Sequence, residues 1–210
     1  MKKQKNIIIY FISFFVPILL IILTFLFLKL NDNNFSIEKL LVSDMKSQYI
    51  SFYNYIRDVF LGNSSIFYSF SRGLGGNMTS TIGYYLASPL NILYLFVSKV
   101  DIPLMVFITY TIKISLCSLF MCIFLSNKFG HKYTNILFSL FYAFIGFTSV
   151  YYFNNMWLDV IYMTPLVILG IDKLFQGKST FYIIMLALSM IFNFYMAYML
   201  CIFCAIYFLY

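Results

Sequence analysis

Of the chain's 210 residues, 62% are hydrophobic, 22% aromatic and only 10% charged. A soluble domain carries roughly 25% charged residues, so this composition excludes a water-soluble globule and makes lipid the solvent. The formal net charge of +7 comes from bases scattered between apolar runs, not from a basic stripe, which argues against a nucleic-acid partner.

Crossing a hydrocarbon core of about 30 Å takes about 20 apolar residues as helix. Residues 7–30 meet that length, with no charge before Lys29. Lys2, Lys3 and Lys5 in front resemble the start of a signal peptide. The apolar run, however, is about twice a signal core, and no small-residue cleavage site follows. It reads as an uncleaved first span containing Pro17.

A long polar segment, residues 31–101, follows. Its five bases, Lys39, Lys46, Arg57, Arg72 and Lys99, balance five acids, Asp32, Glu38, Asp44, Asp58 and Asp101. Ser43 or Asp44 can cap a helix beginning at Met45. Tyr49, Phe52, Tyr53, Ile56 and Phe60 then recur at helical spacing, opposite Gln48, Ser51, Asn54 and Asp58, up to Gly62-Asn63. An amphipathic helix over residues 44–61, lying on the membrane interface or on other helices, is the expectation. Tyr68-Ser-Phe-Ser-Arg-Gly-Leu-Gly-Gly-Asn77 places three glycines beside Arg72, a combination able to present backbone N–H groups and a guanidinium to a phosphate. Ser88 and Pro89 open a short apolar helix ending near Val97, too short to span and therefore re-entrant or interfacial.

Further spans are expected at residues 102–126, 134–153 and, shorter, 160–175. The last run, residues 180–210, is long for one upright helix, and Asn193 is its only strongly polar residue. Two short helices breaking there are expected, and Tyr210 ends within apolar sequence as in the N-terminal part of something larger. Lys and Arg favour cytoplasmic loops. The N-terminus, residues 128–132 and residues 173–178 fall on one side if the spans alternate, which puts residues 31–101 and the turn 154–159 outside. His131 lies in the second of these basic turns and reads as solvated. Cys117, Cys122, Cys201 and Cys204 all lie in apolar runs; Cys201-Ile-Phe-Cys204 reads as packing, not as a metal or redox site. The excess of Phe, Tyr, Ile, Asn and Lys suggests an AT-rich coding sequence.

Five stretches, in order, resemble the bacterial YfhO family of membrane proteins, which belongs with the GT-C type glycosyltransferases. They are Ser43-Asp-Met-Lys-Ser-Gln-Tyr49, Tyr68 to Asn77 as quoted above, Tyr84-Tyr-Leu-Ala-Ser-Pro-Leu-Asn91, Met156-Trp-Leu-Asp159, and Leu186-Ala-Leu-Ser189 with Asn193-Phe-Tyr195. The family's chains are several times longer. The resemblance implies an all-α, polytopic, GT-C-like membrane domain over residues 1–210, with a large extracytoplasmic loop holding interfacial helices. It implies a bacterial cell-membrane enzyme that takes a sugar from a polyprenyl-phosphate carrier and passes it to a cell-envelope polymer such as lipoteichoic acid.

GT-C enzymes keep an essential acid shortly after the first span, and Asp44 stands at that place. The implied roles are Asp44 as general base or as ligand to a divalent metal such as Mg or Mn, and Arg72 as phosphate partner. Gln48, Tyr49 and Asn77, from the same stretches, are substrate-binding candidates. Trp157 is an ordinary interfacial anchor, and Asp159 is either a helix cap or a second acid facing Asp44 across a shared cavity. Lys113 lies mid-span, where a lysine costs about 2.5–3.5 kcal/mol. It should face the protein interior or a wet cavity, where a lipid-linked phosphate would be a fitting partner; the alternative is that it pairs with a carbonyl or snorkels. The competing reading is a transporter, flippase or noncatalytic subunit whose path is lined by these same charges. No internal repeat supports a transporter, and the polar residues gather in one loop, as a transferase would have them.

Overall fold

The computed structural model describes residues 2–209; the side chains of Lys2, Lys3 and Lys5 lie outside the described residues. The chain is mostly helical, in the order α1 (Lys2–Asn31), α2 (Ile50–Phe60), β1 (Tyr68–Ser69), β2 (Gly76–Asn77), α3 (Thr79–Thr81), α4 (Ile102–Phe129), α5 (Thr134–Ala143), α6 (Gly146–Val150), α7 (Leu158–Leu174), α8 (Thr180–Phe192) and α9 (Phe194–Leu209). Two helical stretches, Asn6–Asn31 and Lys99–Phe129, are long and apolar enough to cross a membrane.

Helix α1 meets the rest of the molecule along one stripe only. Ile9 and Ser13 are buried, while Phe11, Phe15, Leu19, Leu23 and Phe27 are exposed. An exposed apolar surface of that extent would aggregate in water and is at home in hydrocarbon. Helix α4 is the hub. It runs antiparallel to α1, with Ser13 Oγ 2.9 Å from Ser118 Oγ and the Phe25 ring 5.3 Å from Phe107. Ser139 of α5 completes a buried three-serine contact, 3.0 Å from Ser13 and 3.1 Å from Ser118. Small hydroxyl residues let helix backbones approach and satisfy one another where no water can.

Helix α7 runs parallel to α4, and two ion pairs mark its register. Lys113 meets Asp159 near one end, and Lys128 meets Asp172 at the other. On the far side of α7, helix α8 comes close at Gly170, where an added Cβ would lie 2.8 Å from the Tyr182 Cα. At Asn193 the backbone turns extended, separating α8 from α9. The Asn193 amide donates to the Tyr84 carbonyl at 2.8 Å and accepts from the Met196 N–H at 2.9 Å. Helix α9 then returns alongside α7, with Tyr207 donating to Asp172 at 3.1 Å and the Phe208 ring stacked on Phe175 at 5.1 Å. Helices α8 and α9 thus form a hairpin folded at the one strongly polar residue of that run.

The expectation of one helix over residues 134–153 is corrected. Helix α5 ends at Ala143, Ile145 is extended, and a short α6 follows. The buried Thr148 hydroxyl holds the break open by donating to the carbonyls of Ala143 and Ile145, 2.8 and 2.9 Å away.

The segment between α1 and α4 has a core of its own. A π-helical turn, Met45–Tyr49, runs straight into α2. The helix ends in a Schellman motif: Asn63 N–H to Asp58 O at 2.8 Å and Gly62 N–H to Val59 O at 3.0 Å, with Gly62 at φ +77°. Its buried residues Met45, Tyr49, Tyr53 and Ile56 pack with Leu86, Tyr94, Val106 and Met156. Tyr53 and Tyr94 stack at 4.7 Å. The short helix opened by Pro89 is 3-10, Pro89–Phe96. Arg57 donates to the Val97 carbonyl and Lys99 pairs with Asp58, each at 2.6 Å, which ties the end of α2 to the start of α4.

Candidate functional site

Ser43 is the one non-glycine among the described residues with positive φ, at +51°. A serine in the left-handed region stores strain, and such residues gather at functional sites. Its carbonyl accepts the N–H groups of Lys46 and Ser47, which starts the Met45 turn and turns the next side chain, Asp44, outward. Asp44 occupies the N-cap position, yet its carboxylate makes no capping hydrogen bond. It is exposed and available for other chemistry.

One aromatic hydroxyl lies beside it. Tyr49 Oη lies 3.5 Å from Asp44 Oδ2 and donates at 2.9 Å to Asn154 Oδ1. Burial, and then the Asp44 charge, push the Tyr49 phenol well above its usual range, so it stays a neutral donor. The Tyr85 phenol is also raised, first by burial, then by Tyr84 and Asp44, while Arg72 opposes the shift. Tyr85 therefore feels both the acid and the base of the site.

Gln48 and Arg72 line one cleft of about 360 Å³ between α2 and the β-hairpin, together with Ser51, Tyr55, Ser71 and Tyr85. Its lining combines hydroxyls, an amide and one guanidinium with the rings of Phe52, Tyr55 and Tyr85 and the Met78 side chain. Arg72 is exposed; its NH1 donates to the Asn77 carbonyl and reaches Ser80 Oγ at 3.4 Å. Asn77 works locally, its Oδ1 accepting from the Thr79 N–H and hydroxyl at the start of α3. Gly75 is demanded by the turn: at φ +114°, an added Cβ would meet the Tyr68 hydroxyl.

A second cleft, of about 340 Å³, opens between α1 and α4 and is almost wholly apolar. Leu20, Phe25, Leu40, Val106 and Tyr110 line it, together with Met45, the neighbour of Asp44.

The family described as bacterial membrane protein YfhO matches residues 13–210. The chain belongs to the YfhO family. No curated protein and no solved structure matches it. The quoted Asp44 and Arg72 stretches of this YfhO chain lie inside the matched region, as does every residue of both clefts.

Lys113 and Asp159 sit apart from these clefts, in the helix contact. They are 1% and 0% exposed and pair at 2.7 Å. Asp159 is in the first turn of α7, behind Trp157 at the cap position, and does not cap that helix. Ser88, expected to cap the 3-10 helix, makes no capping bond and donates to Asp159 Oδ1 at 2.8 Å instead. Asn154, Asn155 and Tyr85 were not singled out from sequence. Two adjacent amides before an apolar helix were the available signal, since buried amides need partners.

Among the described residues, no three His, Cys, Asp or Glu side chains come together. Asp44 is a single carboxylate, which suits a Mg-type ion that takes its remaining ligands from water and phosphate. When bound, such an ion would neutralise phosphate charge. All four cysteines are free thiols.

Proposed function

We propose that this YfhO-family protein is a GT-C-like glycosyltransferase that moves a sugar from a polyprenyl-phosphate carrier to an extracytoplasmic cell-envelope acceptor such as lipoteichoic acid. One observation carries the reading. The residues following Asp44 belong to two clefts of different lining: Met45 to the almost wholly apolar one, Gln48 to the one that also holds Arg72 and several hydroxyls. An amphiphilic donor suits that pairing, with its prenyl chain between α1 and α4 and its sugar phosphate near Arg72 and Tyr85.

In this mechanism Asp44 accepts the proton of the acceptor hydroxyl as its oxygen attacks the anomeric carbon. The bond from that carbon to the phosphate oxygen breaks, and its electron pair leaves with the phosphate. Arg72 stabilises the charge that develops there. Gln48 and the cleft hydroxyls orient the sugar. Asn77 shapes the hairpin that presents Arg72.

The topology belongs to the same proposal. Helices α4, α5 with α6, α7, α8 and α9 cross or re-enter the bilayer as one domain, and the basic segments face the cytoplasm. Support comes from contacts at one end of the bundle, where Tyr10 meets the His131 ring at 5.8 Å and Lys128 meets Asp172 at 3.7 Å. The deciding assay is sugar transfer from a polyprenyl-phosphate donor in membranes containing the full-length chain, compared with Asp44→Asn.

A further inference from the structure

The ion pair inside the bundle is closed off from solvent, and both its ammonium and its carboxylate are held by protein partners. Lys113 Nζ donates to Asp159 Oδ2 at 2.7 Å and to the Asn155 carbonyl at 2.9 Å, while Ser88 occupies the other carboxylate oxygen. A substrate phosphate would have to displace protein partners to reach the lysine. Stability alone explains the pair poorly, because a buried ion pair is often no more stabilising than apolar residues of matched volume.

The pair instead ties four segments at one point. Lys113 comes from α4, Asn155 from the turn before α7, Asp159 from α7 and Ser88 from the start of the 3-10 helix. The adjacent turn residue, Asn154, accepts the Tyr49 hydroxyl, and that hydroxyl lies 3.5 Å from Asp44. A phenol has one proton. With Asn154 as its acceptor at 2.9 Å, Tyr49 does not spend that proton on Asp44, and the carboxylate keeps its lone pairs for a substrate.

We infer that Lys113 and Asp159 are positioning residues: they fix the Asn154-Asn155 turn, and through it the Tyr49 hydroxyl beside Asp44. Neither touches substrate. The role of Asp44 rests on the proposed function; the coupling of the ion pair to Tyr49 does not, and the two are read separately.

The test places 3-fluorotyrosine at position 49 of the full-length chain in lipid nanodiscs and follows its ¹⁹F resonance. Asn154→Leu supplies the resonance of a Tyr49 that has lost its acceptor. Lys113→Met alone leaves a buried carboxylate unpaired and can fail to fold. Lys113→Met with Asp159→Leu removes both charges and should fold. The expected result is that this double variant folds and moves the Tyr49 resonance to the Asn154→Leu position. In sugar transfer its kcat should fall by about 10², the cost of a misplaced group, with the donor KM within about twofold. A folded double variant with the Tyr49 resonance unmoved overturns the inference. So does a donor KM raised tenfold at constant kcat, which would make Lys113 a substrate contact. A double variant that folds as poorly as the single one also overturns it, by making the pair purely structural. If the unmodified protein transfers no sugar while the resonance still moves, the positioning stands and the transferase reading falls.

Discussion

The hydroxyl of Tyr49 donates to the side-chain carbonyl of Asn154 at 2.9 Å, across 105 residues of sequence. That bond joins the π-helical turn ahead of α2 to the turn ahead of α7, and it sits beside the one exposed acid of the site, Asp44. The segment between α1 and α4 is thereby docked onto the helices at the point where chemistry is proposed.

Tyr49→Phe removes that bond and keeps the ring. The Asn154 carbonyl is left buried without its partner, which should cost about 1–3 kcal/mol. The thermal midpoint in detergent should fall by several degrees, and Tyr49→Phe combined with Asn154→Leu should recover part of the loss. A double variant less stable than the sum of the singles contradicts a direct bond.

At Asn193, both polar ends of the side chain are used, one on the Tyr84 carbonyl and one on the Met196 N–H. Asn193→Leu leaves both without partners inside the protein. The expected loss is about 2 kcal/mol or more, read as a lower thermal midpoint, with Asn193→Asp milder because it can still cap α9. An unchanged midpoint for Asn193→Leu contradicts the hairpin turn described here.

Gly170 faces the backbone of Tyr182, so Gly170→Ala must push α7 and α8 apart. Overpacking of this kind costs about 1–3 kcal/mol. Gly62→Ala meets no atoms but must hold a positive φ, so a smaller loss is expected there. Equal losses at the two sites would mean that close helix contact is not what Gly170 provides.

The topology is open to thiol labelling in intact cells. Asn63 and Lys132 are both exposed. Asn63→Cys should react with an impermeant maleimide, and Lys132→Cys should react only after the membrane is opened. The reverse pattern inverts the proposed orientation.

How far these features were legible in the sequence follows from what fixed each of them. The helix through Tyr49, Tyr53 and Ile56 is local periodicity, and it is present as Met45–Phe60. The break at Asn193 was visible because a lone amide in an apolar run has to find partners. The break after Ala143 was not: Gly146 is the one local signal, a single glycine is tolerated inside a span, and the Thr148 hydroxyl that caps the freed carbonyls acts from within the next turn. The pairing of Lys113 with Asp159 depends on the parallel register of α4 and α7, which neither helix encodes alone. Ser88 shows the same limit, since its sequence position suits a cap and its side chain serves Asp159.

Arg72→Gln should fold normally, because the side chain is exposed. It loses a charge-assisted contact to phosphate, worth about 1.5–3 kcal/mol, so the donor KM should rise by tenfold or more. A change confined to the acceptor KM would move the phosphate site away from this cleft.

The central claim is that Asp44 removes the acceptor's proton, and its most direct test is sugar transfer by Asp44→Asn. The substitution keeps the side chain's size and breaks no capping bond, since the carboxylate makes none. Protein level and thermal midpoint should therefore stay at their unmodified values. Rates are compared in membranes at matched protein amounts, with a polyprenyl-phosphate sugar as donor. Loss of a general base costs about 10²–10⁴ in rate, and a drop of that size at unchanged stability is the predicted result. Transfer at the unmodified rate by Asp44→Asn would contradict the account.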